Sequence, residues 1–474
     1  MLTAPLLMLA LAACDDDSSS DPDNTPDAAV GAGGAAMGGA GGEVAGGAGG
    51  AGAEGGAGGE VAGGAGGEMA GGAGGVVDEA CPAPPEAACD GQDEGPPRLN
   101  EHVATYDDAR KTMIIFGGNT AVPENCGFPA YQFQDTTWLY YDYTPAEGCG
   151  RWVNLGSEGP SARGRHAAVF GDGAMWMFGG RTRQASSGPY QVLGDLWRFD
   201  PETRTWAEIM TDGPVPEGRY NHTLAYDANR DQLLLLGGNS SSSGANPVVL
   251  EDMWRYDIAT NSWSEIMPTG IPPEGRIWHA ATFDTARDQM LMYGGGDETA
   301  FFAANYYDDL WAFYPDVDTW ERIDGDSAEV PDSRFWSYIV HDTALDAYVM
   351  FAGHDATDLG NRNDIWAFDP EDGQWSPLAD FDRFNKPANG FCDFPPDFVI
   401  AAPGTPERRN AHSWVYSEAC GRSIAFGGKT DCGAVNDVWL FEPGDGWTNP
   451  ALASEGELCI RFRNNPDNCV NMCF

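Results

Sequence analysis

The chain has 474 residues and carries 72 Asp and Glu against 26 Lys and Arg, a formal net charge of −46 at pH 7. That excess disfavours nucleic acid and anionic lipid surfaces as partners, because both are bound through cationic side chains that displace counterions. The 11 cysteines fit an oxidising compartment better than the cytosol.

In chain order, Leu2 to Ala13 is an apolar run, too short to span a bilayer as a helix and of the right length for a signal h-region. It ends in Leu11-Ala12-Ala13-Cys14, which resembles a bacterial lipobox. Residues 1–14 are therefore expected to be a lipoprotein-type signal segment with the lipid on Cys14, placing the protein outside the cytoplasm in a bacterial envelope. Residues 15–80 are rich in Gly and Ala and contain no aromatic, Lys or Arg residue. Such a composition cannot bury enough apolar surface to offset its ordering entropy, so a disordered tether is expected. Residues 81–97 form a Cys-containing lead-in and residues 451–474 a Cys-rich tail.

Between them, from about 98 to 450, one phrase recurs six times. It consists of an Arg and a His, then Gly-Gly, then Asp-x-Trp, then a second Trp. The His positions are His102, His166, His222, His279 and His412, with Ser337 in the fifth copy. The glycine pairs begin at Gly117, Gly179, Gly237, Gly294 and Gly427, with Ala352-Gly353 in the fifth. Asp195, Asp252, Asp309, Asp364 and Asp437 each precede a Trp by two positions, and Thr136 takes that place in the first copy. The closing tryptophans are Trp152, Trp206, Trp263, Trp320, Trp375 and Trp447. Each copy reads as four short strands, because its apolar runs are bounded by turn residues. The stretch from Gly-Gly to Asp-x-Trp varies in length between copies. The others hold nearly constant, as strand pairing demands, since a one-residue slip turns every side chain to the opposite face.

These residues resemble the kelch repeat family. The resemblance implies an all-β fold, a six-bladed β-propeller of four-stranded antiparallel blades. Arg98 lies four residues before His102, where the other copies place their Arg three before, so the first copy is the least regular.

The candidate site residues follow from that arrangement. Arg163, Arg219, Arg276, Arg334 and Arg409 enter the first strand of their copies at the mouth of the expected channel. There they suit either an acidic ligand or turn and inter-blade bonding. The variable loops carry aromatic residues, Phe301, Phe302, Tyr306 and Tyr307 in one and Tyr131 in another. These suit a binding hot spot or a sugar platform, or folding back onto their own blades. The repeat histidines recur because the blade recurs, so a hydrogen-bonding structural role is expected rather than a metal ring. No phosphate loop, nucleophile elbow or sialidase box is present, so no catalytic residue, cofactor or metal is assigned. Loop placement predicts a Cys149–Cys420 bridge across the closing seam, with Cys126–Cys149 as its rival, and a Cys392–Cys432 bridge between the fifth and sixth copies. The expectation is a non-enzymatic binding propeller with a monomeric head, for a protein or glycan, acidic ones included. A carbohydrate-active or oxidoreductase-type enzyme with a metal near the channel mouth is the alternative, and a structural envelope component the third reading.

Overall fold

Every apolar run between turn signals forms a strand, and no helix interrupts them among the described residues. The computed structural model describes residues 95–120, 132–142, 150–184, 188–243, 246–299, 305–325, 327–355, 360–379, 404–430 and 433–451. Strands β1 (Val103–Asp107), β2 (Thr112–Phe116), β3 (Thr137–Tyr141) and β4 (Arg151–Asn154) form an antiparallel meander. The second comprises β5 (Ala167–Gly171), β6 (Ala174–Thr182), β7 (Gln191–Asp200) and β8 (Thr205–Ile209). The third comprises β9 (Thr223–Asp227), β10 (Gln232–Leu236), β11 (Met253–Asp257) and β12 (Ser262–Ile266). The fourth comprises β13 (Ala280–Asp284), β14 (Gln289–Tyr293), β15 (Leu310–Tyr314) and β16 (Thr319–Arg322).

The other ten strands share one sheet. They are β17 (Arg334–Phe335), β18 (Tyr338–Asp342), β19 (Ala347–Asp355), β20 (Gly360–Asp369), β21 (Gln374–Ala379), β22 (Arg409–Asn410), β23 (Ser413–Ser417), β24 (Arg422–Thr430), β25 (Gly433–Glu442) and β26 (Gly446–Ala451). Within this sheet β18–β21 and β23–β26 repeat the meander, and β22 stitches them together by pairing with both β20 and β24. The first strands are neighbours in a closed cycle, β1 beside β5, β5 beside β9, β9 beside β13, β13 beside β18, β18 beside β23, and β23 back beside β1.

The second strands are buried along their whole length, as in β2, β10 and β14. They lie between neighbouring sheets, so a continuous apolar run replaces the alternation of a half-exposed strand. The fourth strands face outward, but their tryptophans reach back onto the preceding meander. Trp206 meets Phe116 at 5.0 Å between ring centroids, Trp263 meets Phe178 at 5.5 Å, Trp375 meets Tyr293 at 5.4 Å and Trp447 meets Phe351 at 5.0 Å. Trp152 closes the cycle on Phe426 at 5.2 Å. These closing tryptophans thus pack one meander on the one before it, and large aromatic burial of this kind dominates packing energetics.

The glycine pair has two separate causes. A Cβ on Gly237 would stand 2.9 Å from the carbonyl oxygen of Arg276 in the next copy, and one on Gly238 would stand 2.7 Å from Cβ of His222 in its own. Both have positive φ, 61° and 99°, where glycine is at ease. The close approach lets the Gly238 N–H donate to the Arg276 carbonyl at 3.1 Å, and the same bond recurs from Gly118, Gly180 and Gly295.

The first copy differs from its sequence reading. At the seam the Gly428 N–H donates to the carbonyl of Leu99, not of Arg98. Leu99 therefore holds the slot that the other copies give to Arg, while Thr136 holds the Asp slot, so both halves of one interaction are missing together. The Leu99 N–H keeps the backbone bond of this slot, donating to the Val435 carbonyl at 3.1 Å as Arg219 does to Leu193, and Asn436 Nδ2 adds a bond to the Pro96 carbonyl of the lead-in at 2.9 Å. Arg422 and Asp142 add a buried ion pair at 2.7 Å across the same seam. Cys420 is in a disulfide. Cys14, Cys126, Cys149, Cys392 and Cys432 lie outside the described residues.

Candidate ligand-binding site at the channel mouth

The first strands enclose a central cavity of about 170 Å³. Its rim is built from the residue that immediately precedes the repeat His or Ser, namely Glu101, Arg165, Asn221, Trp278, Trp336 and Ala411. All six have left-handed φ, between 47° and 61°. Around the rim five of these six N–H groups donate to the carbonyl of the preceding rim residue. Arg165 donates to Glu101 at 2.9 Å, Asn221 to Arg165 at 2.9 Å, Trp278 to Asn221 at 3.1 Å, Trp336 to Trp278 at 3.0 Å and Glu101 to Ala411 at 3.1 Å. The bonds sustain a backbone conformation that costs a non-Gly residue roughly 1–2 kcal/mol. Only Asn221 is of a type that this conformation favours. The identities Glu, Arg, Trp and Trp are therefore not set by backbone need, which leaves the cavity they face.

The rim has a polar and an aromatic side. The Arg165 guanidinium pairs with Glu101 at 2.6 Å and lies 4.9 Å from the ring centroid of Trp336, three strands further round the cycle, so it bridges the mouth. Trp336 packs on Trp278 at 5.3 Å, and Phe335 packs on Trp278 at 4.9 Å and on Tyr306 at 4.8 Å. Burial alone would push the Glu101 carboxyl up, but the positive charges of Arg165 and Arg181 together with the Arg165 hydrogen bond hold it below its ordinary value. Glu101 Oε2 and both ends of the Asn221 amide are buried without a hydrogen-bond partner.

The five repeat arginines have a different role from the ligand-binding one considered for them. Arg163, Arg219, Arg276, Arg334 and Arg409 are at most 2% exposed. Each forms a fork on the Asp of its own copy, as Arg219 does on Asp252 at 2.6 and 2.7 Å. The same geometry joins Arg163 to Asp195, Arg276 to Asp309, Arg334 to Asp364 and Arg409 to Asp437. Arg219 also donates through Nε to the Glu217 carbonyl and through one terminal nitrogen to the Gly237 carbonyl. The Asp accepts in addition from the Trp two positions on, Trp254 Nε1 to Asp252 at 2.7 Å. These guanidinium donors are committed to the scaffold, so the arginines latch the Gly-Gly end of strand two to strand three.

Tyr306 and Tyr307 fold back onto the propeller. Tyr306 rests on Phe335, and Tyr307 donates to Glu274 at 3.0 Å beneath the Arg276 guanidinium. Tyr131, Phe301 and Phe302 lie outside the described residues. The histidines are scaffold as expected, though more by ring packing than by hydrogen bonding. His166, His222 and His412 meet Phe116, Phe178 and Phe351 edge-on at 5.0–5.7 Å, while His279 shares a 2.8 Å bond with Thr223. Among the described residues no three His, Cys, Asp or Glu side chains converge to hold a metal ion. The sequence signal for the rim was present, since the one slot beside the fixed His has no fixed residue type.

The kelch-repeats domain model described as KLHDC2/KLHL20/DRC7 matches residues 86–295 and again 228–392. The chain belongs to the kelch-repeat family. It is 34% identical over 212 residues to human multiple epidermal growth factor-like domains protein 8, covering 42% of this chain and 6% of that one. It is 28% identical over 217 residues to the Rab9 effector protein with kelch motifs of Xenopus laevis, covering 44% of this chain and 52% of that one. It is 24% identical over 333 residues to human leucine-zipper-like transcriptional regulator 1, covering 69% of this chain and 35% of that one. The kelch chain thus spans about half or less of the length of these relatives. The structure titled "Structure of YjhT" shares the fold, with a TM-score of 0.52 and 15% identity over 76% of this chain and 99% of that one.

Proposed function

We propose that the chain is a six-bladed kelch propeller acting as a non-enzymatic binding module for a protein or glycan, with the channel mouth as the centre of its binding face. The supporting observation is the rim, where buried polar atoms of Glu101 and Asn221 lack partners beside an aromatic wall. Buried polar groups are rarely left unpaired, and those that are call for an explanation such as a ligand. The connection between the second and third strands of the fourth copy reaches the same side, as the contact of Tyr306 with Phe335 indicates. The family supports binding as the general role, and the frog relative is named for an interaction with another protein. In this reading the leader ending at Cys14 and the Gly/Ala-rich segment hold a monomeric head outside the cytoplasm. A Cys149–Cys420 bridge staples the closing seam, for which peptide mapping without reduction is the check.

The test is capture of envelope proteins and glycans by the intact protein and by Asn221→Gly, which removes the amide but tolerates the left-handed backbone. Capture by the wild type that falls at least tenfold in the variant, at unchanged melting temperature, is the expected result. Equal capture by both would remove the mouth from the binding face.

A further inference from the structure

Resting on the mouth as the binding site, we propose that its ligand is a neutral saccharide ring. Among the polar atoms of the cavity-lining residues that lack partners, beside ring nitrogens of the repeat histidines, are Glu101 Oε2, the Asn221 amide and Ser337 Oγ. Their residues are 8%, 7% and 2% exposed, so water reaches them poorly. A carboxylate oxygen can only accept, and the amide of Asn221 must both donate and accept. Hydroxyl groups do both, and neighbouring hydroxyls on one ring can donate to Glu101 while exchanging bonds with Asn221 and Ser337. A ligand carboxylate or phosphate supplies no proton to Glu101 Oε2 and leaves that acceptor unsatisfied. A ligand cation is opposed by Arg165, which already neutralises Glu101. On the facing side Trp336 is only half-buried and offers apolar surface to the C–H face of a sugar ring beside Arg165, with the buried Trp278 packed behind it. A cavity of about 170 Å³ suits one ring better than several residues of peptide, since sites for larger organic ligands typically run to roughly 300–1,000 Å³. The fifth copy contributes Ser337 where the others place a His, so the one break in the His series supplies a hydroxyl to this wall.

The experiment titrates the full-length protein with glucose, galactose, N-acetylglucosamine and glucuronate by saturation-transfer NMR, with an array of short peptides as a parallel arm. At least one neutral sugar should bind, glucuronate should bind at least tenfold more weakly than glucose, and Asn221→Gly should weaken the neutral sugar at least tenfold. Glu101→Gln should narrow the gap between glucose and glucuronate. Glucuronate binding as tightly as glucose, or neutral binding indifferent to Asn221→Gly, would overturn the proposal. Peptides that bind in an Asn221-dependent way, with no sugar doing so, would reject the saccharide and leave the mouth as the binding site. If no probe depends on Asn221, both readings fail.

Discussion

Acidification from pH 8 to 5.5 should lower the melting temperature of the folded head steeply, with the fall beginning near pH 6.5. The cause is the set of five buried repeat histidines. Burial holds His102 and His279 down to about 3. Burial first, and then the positive charges of Arg163, Arg219 and Arg409, hold His166, His222 and His412 well below the ordinary value. The folded state thus keeps these rings neutral where the unfolded chain, titrating near 6.5, takes up protons. Between about 3 and 6.5 the unfolded state binds more protons, so stability is full above 6.5 and is lost as pH falls toward 3. Each histidine costs about 1.4 kcal/mol per pH unit in that window. Five together give about 7 kcal/mol at pH 5.5, against a total stability of roughly 5–15 kcal/mol for a typical domain. Asp108, Asp324 and Asp342, raised chiefly by burial, act in the opposite direction, but near the lower carboxylate range. A pH series of thermal melts checks this, and a flat melting temperature between pH 8 and 5.5 would show that the rings are not buried neutral.

Arg219→Ala should destabilise the head by roughly 3 kcal/mol, the lower part of the range for breaking a buried pair. The lower part applies because the Asp252 side chain is 25% exposed and water relieves some of its stranded charge. In a propeller of this length that is a fall of roughly 4 °C in melting temperature. Arg219→Lys should recover only part of it, since an ammonium cannot reproduce the fork on Asp252 together with the bonds to the Glu217 and Gly237 carbonyls. Differential scanning calorimetry measures both variants. A loss under 1 kcal/mol for Arg219→Ala would mean that the latch does little for the fold.

The architecture was legible because its marker residues recur. Trp, His and Gly-Gly each occupy a place where one sheet meets the next, so the sequence displays the inter-sheet contacts directly. The arginines were visible but their role was not. Arg219 and Asp252 are 33 positions apart, and only strand register brings them together. The rim was harder still. Glu101, Arg165 and Asn221 lead into different first strands and converge only when the cycle of strands closes. Arg165 meets Trp336 from across the mouth, a contact that no local pattern signals. The first copy illustrates the same point, because Leu99 and Thr136 look like two separate irregularities until one sees that they are the two ends of a missing latch.

Two positions of one copy divide the scaffold from the proposed ligand face, Arg219 holding the propeller and Asn221 standing at the mouth. Melting temperature and ligand capture measured together on Arg219→Ala and Asn221→Gly test that division most directly. Arg219→Ala should melt several degrees lower while its folded fraction binds as the wild type does, and Asn221→Gly should melt within about 1 °C of wild type and lose binding at least tenfold. Normal binding by Asn221→Gly, or lost binding by folded Arg219→Ala, would contradict it.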